Sequence, residues 1–183
     1  MGHTAAFPLL RTADLDEILA LAGRILALSE PDTRGGTELW AHVATRAEVR
    51  RLLAAVPEAE VGAGSRADAA TPGDSPLPFG PYSLFLELPG AARAASAARA
   101  ALAVHDRIAV HWDAFCWPEV PELGLERTWK YARLQLSLHH DGTELDSPWT
   151  PQHTLFVHVG EEERAVWVAE QVGAEIIGEH TIW

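Results

Sequence analysis

What most constrains this chain is a pattern that it carries twice. Ser83 to Trp112 and Thr154 to Trp183 superpose at an offset of 71 positions without a gap. They share Leu84 with Leu155, Phe85 with Phe156, Arg93 with Arg164, Ala94 with Ala165, Ala98 with Ala169, Ala103 with Ala174 and Trp112 with Trp183. Each copy opens on an alternating apolar run, passes through a helix-forming stretch and closes on a second alternating run, which reads as strand, helix, strand. Crossovers between parallel strands of one sheet are right-handed, so two such units set both helices on the same face. With Thr128 to His140 as a long strand between them, the expected fold is an α+β, ferredoxin-like βαβ-β-βαβ sandwich. That is a five-stranded, mostly antiparallel sheet with two helices on one face. The other face starts bare, to be covered by the N-terminal helices, a second subunit or a ligand.

Upstream, Asp14 with Glu17 is a capping pair ahead of Leu15, Ile18, Leu19, Ala22, Ile25 and Leu26, the apolar stripe of a helix that has to stop by Pro31. Glu38 to Val43 alternates as a short strand, with Trp40 and His42 opposite Leu39, Ala41 and Val43. Thr45 with Glu48 then opens a second helix that ends at Pro57. Residues 1–61 are therefore expected to form an N-terminal helical segment packed on the body. Residues 62–81, which hold Gly62, Gly64, Pro72, Gly73, Pro76, Pro78, Gly80 and Pro81, read as a linker or loop. Residues 82–183 are the body. Its expected elements are strand Tyr82 to Leu88, an Ala-rich helix from Gly90 to Val104, strands Arg107 to Trp117, Thr128 to His140 and Thr154 to Val159, helix Glu161 to Val172, and strand Ala174 to Trp183.

An apolar fraction of 48% against 22% charged is that of a chain able to bury a core. The net charge of −12, with 14 scattered cations, excludes a duplex nucleic-acid partner, which needs a basic stripe, and suits a basic protein. Cys116 is the single cysteine, so no internal disulfide forms. No run of 18 apolar residues and no basic start followed by an apolar stretch occurs, so the expected location is cytoplasmic, away from membranes. No glycine-rich phosphate or dinucleotide motif occurs, and no cofactor is expected.

Period two gathers the chemistry on the bare face: Glu87, His111, Asp113, Arg133, Gln135, Ser137, His139 and His158, beside Phe85, Phe115, Tyr131 and Phe156. A catalytic reading takes His111 or His158 as general base, oriented by Asp113 or Glu87, with Arg133 holding an anionic group. A binding reading takes Arg133, Tyr131 and His139 with the loop tryptophans Trp117, Trp129 and Trp149, since indoles with a polar handle favour interfaces and pockets. The run His139, His140, Asp141, Glu144 and Asp146 has ligand types but neither calcium-loop nor zinc-helix spacing, so no metal site is expected. Cys116 lacks the setting of a nucleophile and reads as a small buried hydrophobe. The favoured function is a non-enzymatic interaction protein, an acidic module engaging a protein partner or a second copy through the open sheet face, for example neutralising a basic toxin or regulator. The alternative is a small enzyme or ligand-binding protein using the histidine and carboxylate cluster for acid-base or metal-assisted chemistry.

Overall fold

The computed structural model describes residues 4–33, 35–62 and 82–182; the expected linker at 62–81, apart from Gly62, and Trp183 lie outside them. Among the described residues ten strands and four helices follow one another as β1 (Ala5–Thr12), α1 (Leu15–Leu28), β2 (Glu30–Pro31), β3 (Thr37–Val43), α2 (Arg46–Ala55), β4 (Glu60–Val61), β5 (Tyr82–Leu88), α3 (Ala94–Leu102), β6 (Ile108–Trp112), β7 (Phe115–Cys116), β8 (Arg133–Leu138), β9 (His153–Val159), α4 (Glu162–Val172) and β10 (Thr181–Ile182).

Local signals start the helices where the sequence places them. The Asp14 carboxylate accepts from the N–H groups of Asp16 and Glu17 at 2.9 and 3.2 Å, opening α1. At α2 the capping box is complete: Thr45 Oγ1 accepts from Glu48 N, and the Glu48 carboxylate accepts from Ala44 N and Thr45 N at 2.7 and 2.8 Å. Burial opposes ionisation of Glu48, but these donors hold its carboxyl below the ordinary range. In α3 the buried residues are Ala94, Ala97, Ala98 and Ala101, small enough for the helix to lie against β3 and β6.

Eight strands form one antiparallel sheet in the order β10-β1-β9-β8-β6-β3-β5-β4, and β2 pairs with β7 apart from it. Since β5 and β6 both run antiparallel to β3, which separates them, β5-α3-β6 is a crossover spanning one strand. The unit β9-α4-β10 spans β1 in the same way. Leu84 lies in the first strand of one of these crossovers and Leu155 in the first strand of the other. The sheet has eight strands where five were expected, because residues 1–61 are no appended helical segment: they place β1 and β3 inside the sheet and β4 at its edge. Pro8 interrupts the strand pattern of β1 in the sequence, and the ladder absorbs that proline at a register shift between Pro8 and Leu10.

Two expected strands are shorter for backbone reasons. Tyr131 and His139 adopt left-handed φ values of 64° and 60°, and they cut the run from Thr128 to His140 down to β8. After β6 the chain leaves the sheet, Asp113 N donating to Gly36 O at 2.9 Å, so the alternation in Asp113 to Trp117 serves the separate β2–β7 pair. The final stretch, expected as a strand from Ala174, pairs only at Thr181–Ile182.

One core joins the apolar stripes of all four helices to Leu39, Ala41, Val43, Leu84, Leu86, Val110, Leu134, Leu136, Leu155 and Val157 of the sheet. The N-terminal helices therefore share the face of α3 and α4 and leave the far face to other groups. Over β8 that face is roofed by the loop 139–152: Gln135 Nε2 donates to Thr143 O at 2.7 Å and Ser137 Oγ to Gly142 O at 2.9 Å. Over β3, β5 and β4 it is more open, with Trp40, His42, Ser83 and Phe85 half-buried and Glu60 and Glu87 exposed.

Candidate functional site

A single rung of the far face crosses the sheet as Glu60, Glu87, Glu38, His111, Gln135, Phe156 and Pro8, each directly paired with the next. Residues so paired hold their Cβ atoms about 4.5–5.5 Å apart, a spacing at which like charges repel. Three carboxylates therefore stand side by side on β4, β5 and β3. Among the described residues no cation forms an ion pair with any of them. Along this ledge lie Trp40 and Phe85, edge-to-face at 4.6 Å, and the Trp40 indole donates to Glu38 Oε2 at 2.6 Å.

Where the ledge meets β6 and β8, a cleft of ≈ 480 Å³ opens between the backbone at Gly35–Gly36, Asp32, Glu38, Asp113, Trp129, Tyr131 and Arg133, with His158 in its wall. Arg133 is held by Asp113 through two parallel bonds, Nε to Oδ1 at 2.7 Å and Nη2 to Oδ2 at 3.0 Å, and its guanidinium lies 5.8 Å from the centroid of the Trp40 ring. Gly35 is required here, because a Cβ on it would sit 2.1 Å from the Asp113 carbonyl oxygen. Trp129 stands 53% exposed at the margin.

Behind the cleft lie two buried histidines. Because Gln135 Nε2 points at the Thr143 carbonyl, its Oε1 faces His158 and accepts from His158 Nε2–H at 3.0 Å, which fixes the tautomer. Burial, reinforced by the Arg133 charge, lowers His158 to about 3. His111 packs edge-to-face on Trp40 at 4.1 Å, and among the described residues neither of its ring nitrogens makes a hydrogen bond of good geometry, Gln135 being its nearest polar neighbour. Burial first, then the nearby Arg133 and His158, push it well below the ordinary histidine value. Both rings are neutral at pH 7.

The catalytic set expected from the sequence shares a face but does not make the expected contacts. Asp113 is committed to Arg133. Glu87 is separated from His111 by β3, and two strand spacings are about 10 Å, beyond hydrogen-bond reach. A base as weak as His158 suits proton abstraction at neutral pH poorly. Arg133 meets a carboxylate of its own chain instead of standing ready for an anion.

The binding set divides as well. Trp129, Tyr131 and Arg133 meet at the cleft. Trp117 is fully buried in the core, edge-to-face on Phe115, its Nε1 donating to His158 O at 3.0 Å, so both leave the far-face set. His139 and Trp149 stack with centroids 5.4 Å apart beyond the other end of β8, where His139 Nδ1 donates to Thr150 O and His139 N to His153 Nδ1. That end is about 20 Å of strand away from the cleft. His140 turns inward to the Ile108 and Gly142 carbonyls, so it does not join His139. Among the described residues no three His, Cys, Asp or Glu side chains converge as ligands. The Cys116 thiol is buried and donates to Asp32 Oδ2 at 3.0 Å.

Glu38, Glu60, Asp32 and Trp40 were missed. The period of Glu38 and Trp40 is plain in the sequence, but they join the site only once β3 is known to lie beside β6. Comparison with protein-family models, with curated proteins and with solved structures finds no match. Among the described residues no helix is long and apolar enough to cross a membrane.

Proposed function

We propose that this chain is a binding protein that engages a basic protein partner through the acidic and aromatic part of its sheet face. The observation that carries this reading is the stack of Glu60, Glu87 and Glu38 on neighbouring strands, a repulsive arrangement that a cationic partner would relieve. Trp40, Phe85 and Trp129 beside it supply the aromatic anchors that partner surfaces use, and the net charge of −12 would speed the approach of a basic molecule. A second copy of the chain fits less well: a two-fold contact through this face would set ledge against ledge and double the repulsion.

The topology suits the same reading. We take β3-α2-β4-β5-α3-β6 as one ferredoxin-like unit, inserted in a second made of β1-α1-β8-β9-α4-β10. Numbered within its unit, each set of four strands runs 4-1-3-2 across the sheet. The cleft then falls at the seam where β6 of one unit pairs with β8 of the other, a usual place for recognition. The test is to isolate a partner with the whole chain as bait and map the contact by hydrogen exchange. A basic partner that protects β3, β5 and β4, and that is lost with Glu60→Gln/Glu87→Gln, supports the proposal. Protection confined to the helix face, or an acidic partner, refutes it.

A further inference from the structure

On the helix side of the sheet, where β3 begins and β6 ends, lies a smaller hollow of ≈ 180 Å³. Leu26, Pro31, Ala91 and Phe115 give it apolar walls, and among the described residues no charged side chain lines it. Its polar side chains are Ser29, Thr37 and Trp112. Ser29 Oγ is committed to Leu26 O at 2.7 Å. Thr37 and Trp112 are directly paired across β3 and β6, so their side chains stand next to each other on the face of Leu39 and Val110. They are 2% and 3% exposed, and among the described residues neither Thr37 Oγ1 nor Trp112 Nε1 makes a hydrogen bond. Nearly all buried polar groups find partners, and leaving one without costs the full loss of its hydration. Two such groups on paired residues, both in the lining of one hollow, call for an explanation that packing does not supply.

We propose that this hollow is a binding site for a small uncharged molecule with a compact apolar body and one acceptor oxygen, which accepts from the Trp112 indole N–H and the Thr37 hydroxyl. An indole nitrogen only donates, so the ligand has to bring the acceptor, and a hydroxyl can donate to the same oxygen. With no charged side chain in the described lining, an ionic ligand would lose its hydration without a counter-charge, which selects a neutral one. The volume sets the size. A cavity of roughly 150 Å³ holds benzene and drug-sized ligands occupy roughly 300 Å³ or more, so the hollow suits a single ring or a short branched chain and excludes a nucleotide or a peptide segment. Pro31 and Ala91 are exposed and put the mouth at the surface. The site lies on the opposite side of the sheet from the carboxylate ledge and does not depend on the partner proposed for it.

The assay follows the indole N–H signals of the whole nitrogen-labelled protein by NMR during titration with three probes of similar size: cyclohexanone, which carries an acceptor oxygen, toluene, which carries none, and cyclohexylamine, which is charged at neutral pH. Cyclohexanone is expected to move the Trp112 signal saturably and to bind about five-fold more tightly than toluene, the amine more weakly than either. Trp112→Phe removes the donor and is expected to abolish the preference for cyclohexanone over toluene. Thr37→Val keeps the shape of the side chain without its hydroxyl; it is expected to reduce that preference by about half and carries the test should the phenylalanine variant not fold. Equal affinities for cyclohexanone and toluene, a preference untouched by Thr37→Val, or tighter binding of the amine would each overturn the site. So would the absence of any saturable shift at the Trp112 signal, and none of these results bears on the carboxylate ledge.

Discussion

Lowering the pH from 7 to 5 should remove a large part of this protein's stability, and the buried histidines set the amount. His158 is held at about 3 and His153 at about 4, burial being the first cause in both, with Arg133 acting on His158 and His139 on His153. Both values lie below the unfolded value near 6.5, so below that pH the unfolded chain binds more protons than the folded one. Stability therefore falls as pH falls, and the loss levels off only as each folded value is passed. Between pH 7 and pH 5 each ring that stays neutral costs about 2 kcal/mol, and the two together about 4 kcal/mol. His111 adds to the loss in the same direction. Against a typical total of 5–15 kcal/mol this is large. In urea denaturation it should appear as a midpoint lower by about 2 M at pH 5 than at pH 7. His158→Gln should reduce the difference by about 2 kcal/mol, since one of the rings is gone. Equal midpoints at the two pH values in the parent protein would refute the claim that these rings are buried and neutral.

Two further predictions concern the frame of the site. Arg164, 1% exposed, donates to the carbonyls of Pro118 and Glu126 at 2.8 Å each; Arg164→Ala should cost about 2–4 kcal/mol by thermal melting, and Arg164→Lys should not restore it, because one ammonium cannot reproduce the fork. Gly35→Ala should cost about 1–3 kcal/mol and displace Asp113, read as a lower melting temperature together with altered Trp129 emission, since the new methyl group would meet backbone atoms that cannot swing aside.

Much of the fold was legible because local chemistry and period agreed. Asp14 and the Thr45–Glu48 box start helices, and period two places Glu87, His111, Gln135, Ser137 and His158 on the face opposite Leu84, Leu136 and Val157. Three things were not legible, each for a physical reason. A proline inside β1 reads as a strand breaker unless the bulge that accommodates it is known. Left-handed backbone at Tyr131 and His139 is a tertiary outcome that neither residue announces. The separation of Trp117 from Trp129 depends on which side of the sheet the 117–131 segment crosses, and both are simply tryptophans beside loops in the sequence. The site was found by half. Its β8 members were named, whereas Glu38 and Trp40 stayed hidden because their strand was assigned to an appended segment and not to the middle of the sheet.

The central claim is that a localised carboxylate ledge, and not the overall acidity, draws a cationic partner. The most direct measurement compares the affinity of a nine-residue oligoarginine at low salt for three proteins: the parent, Glu60→Gln/Glu87→Gln on the ledge, and Glu162→Gln/Glu163→Gln on the opposite, helical face, which changes net charge equally. Each contact of this exposed kind contributes about 0.2–1 kcal/mol, so the ledge variant should bind roughly five-fold more weakly while the helix-face variant stays near the parent. Equal losses in the two variants would mean that net charge alone attracts the peptide and would contradict the account.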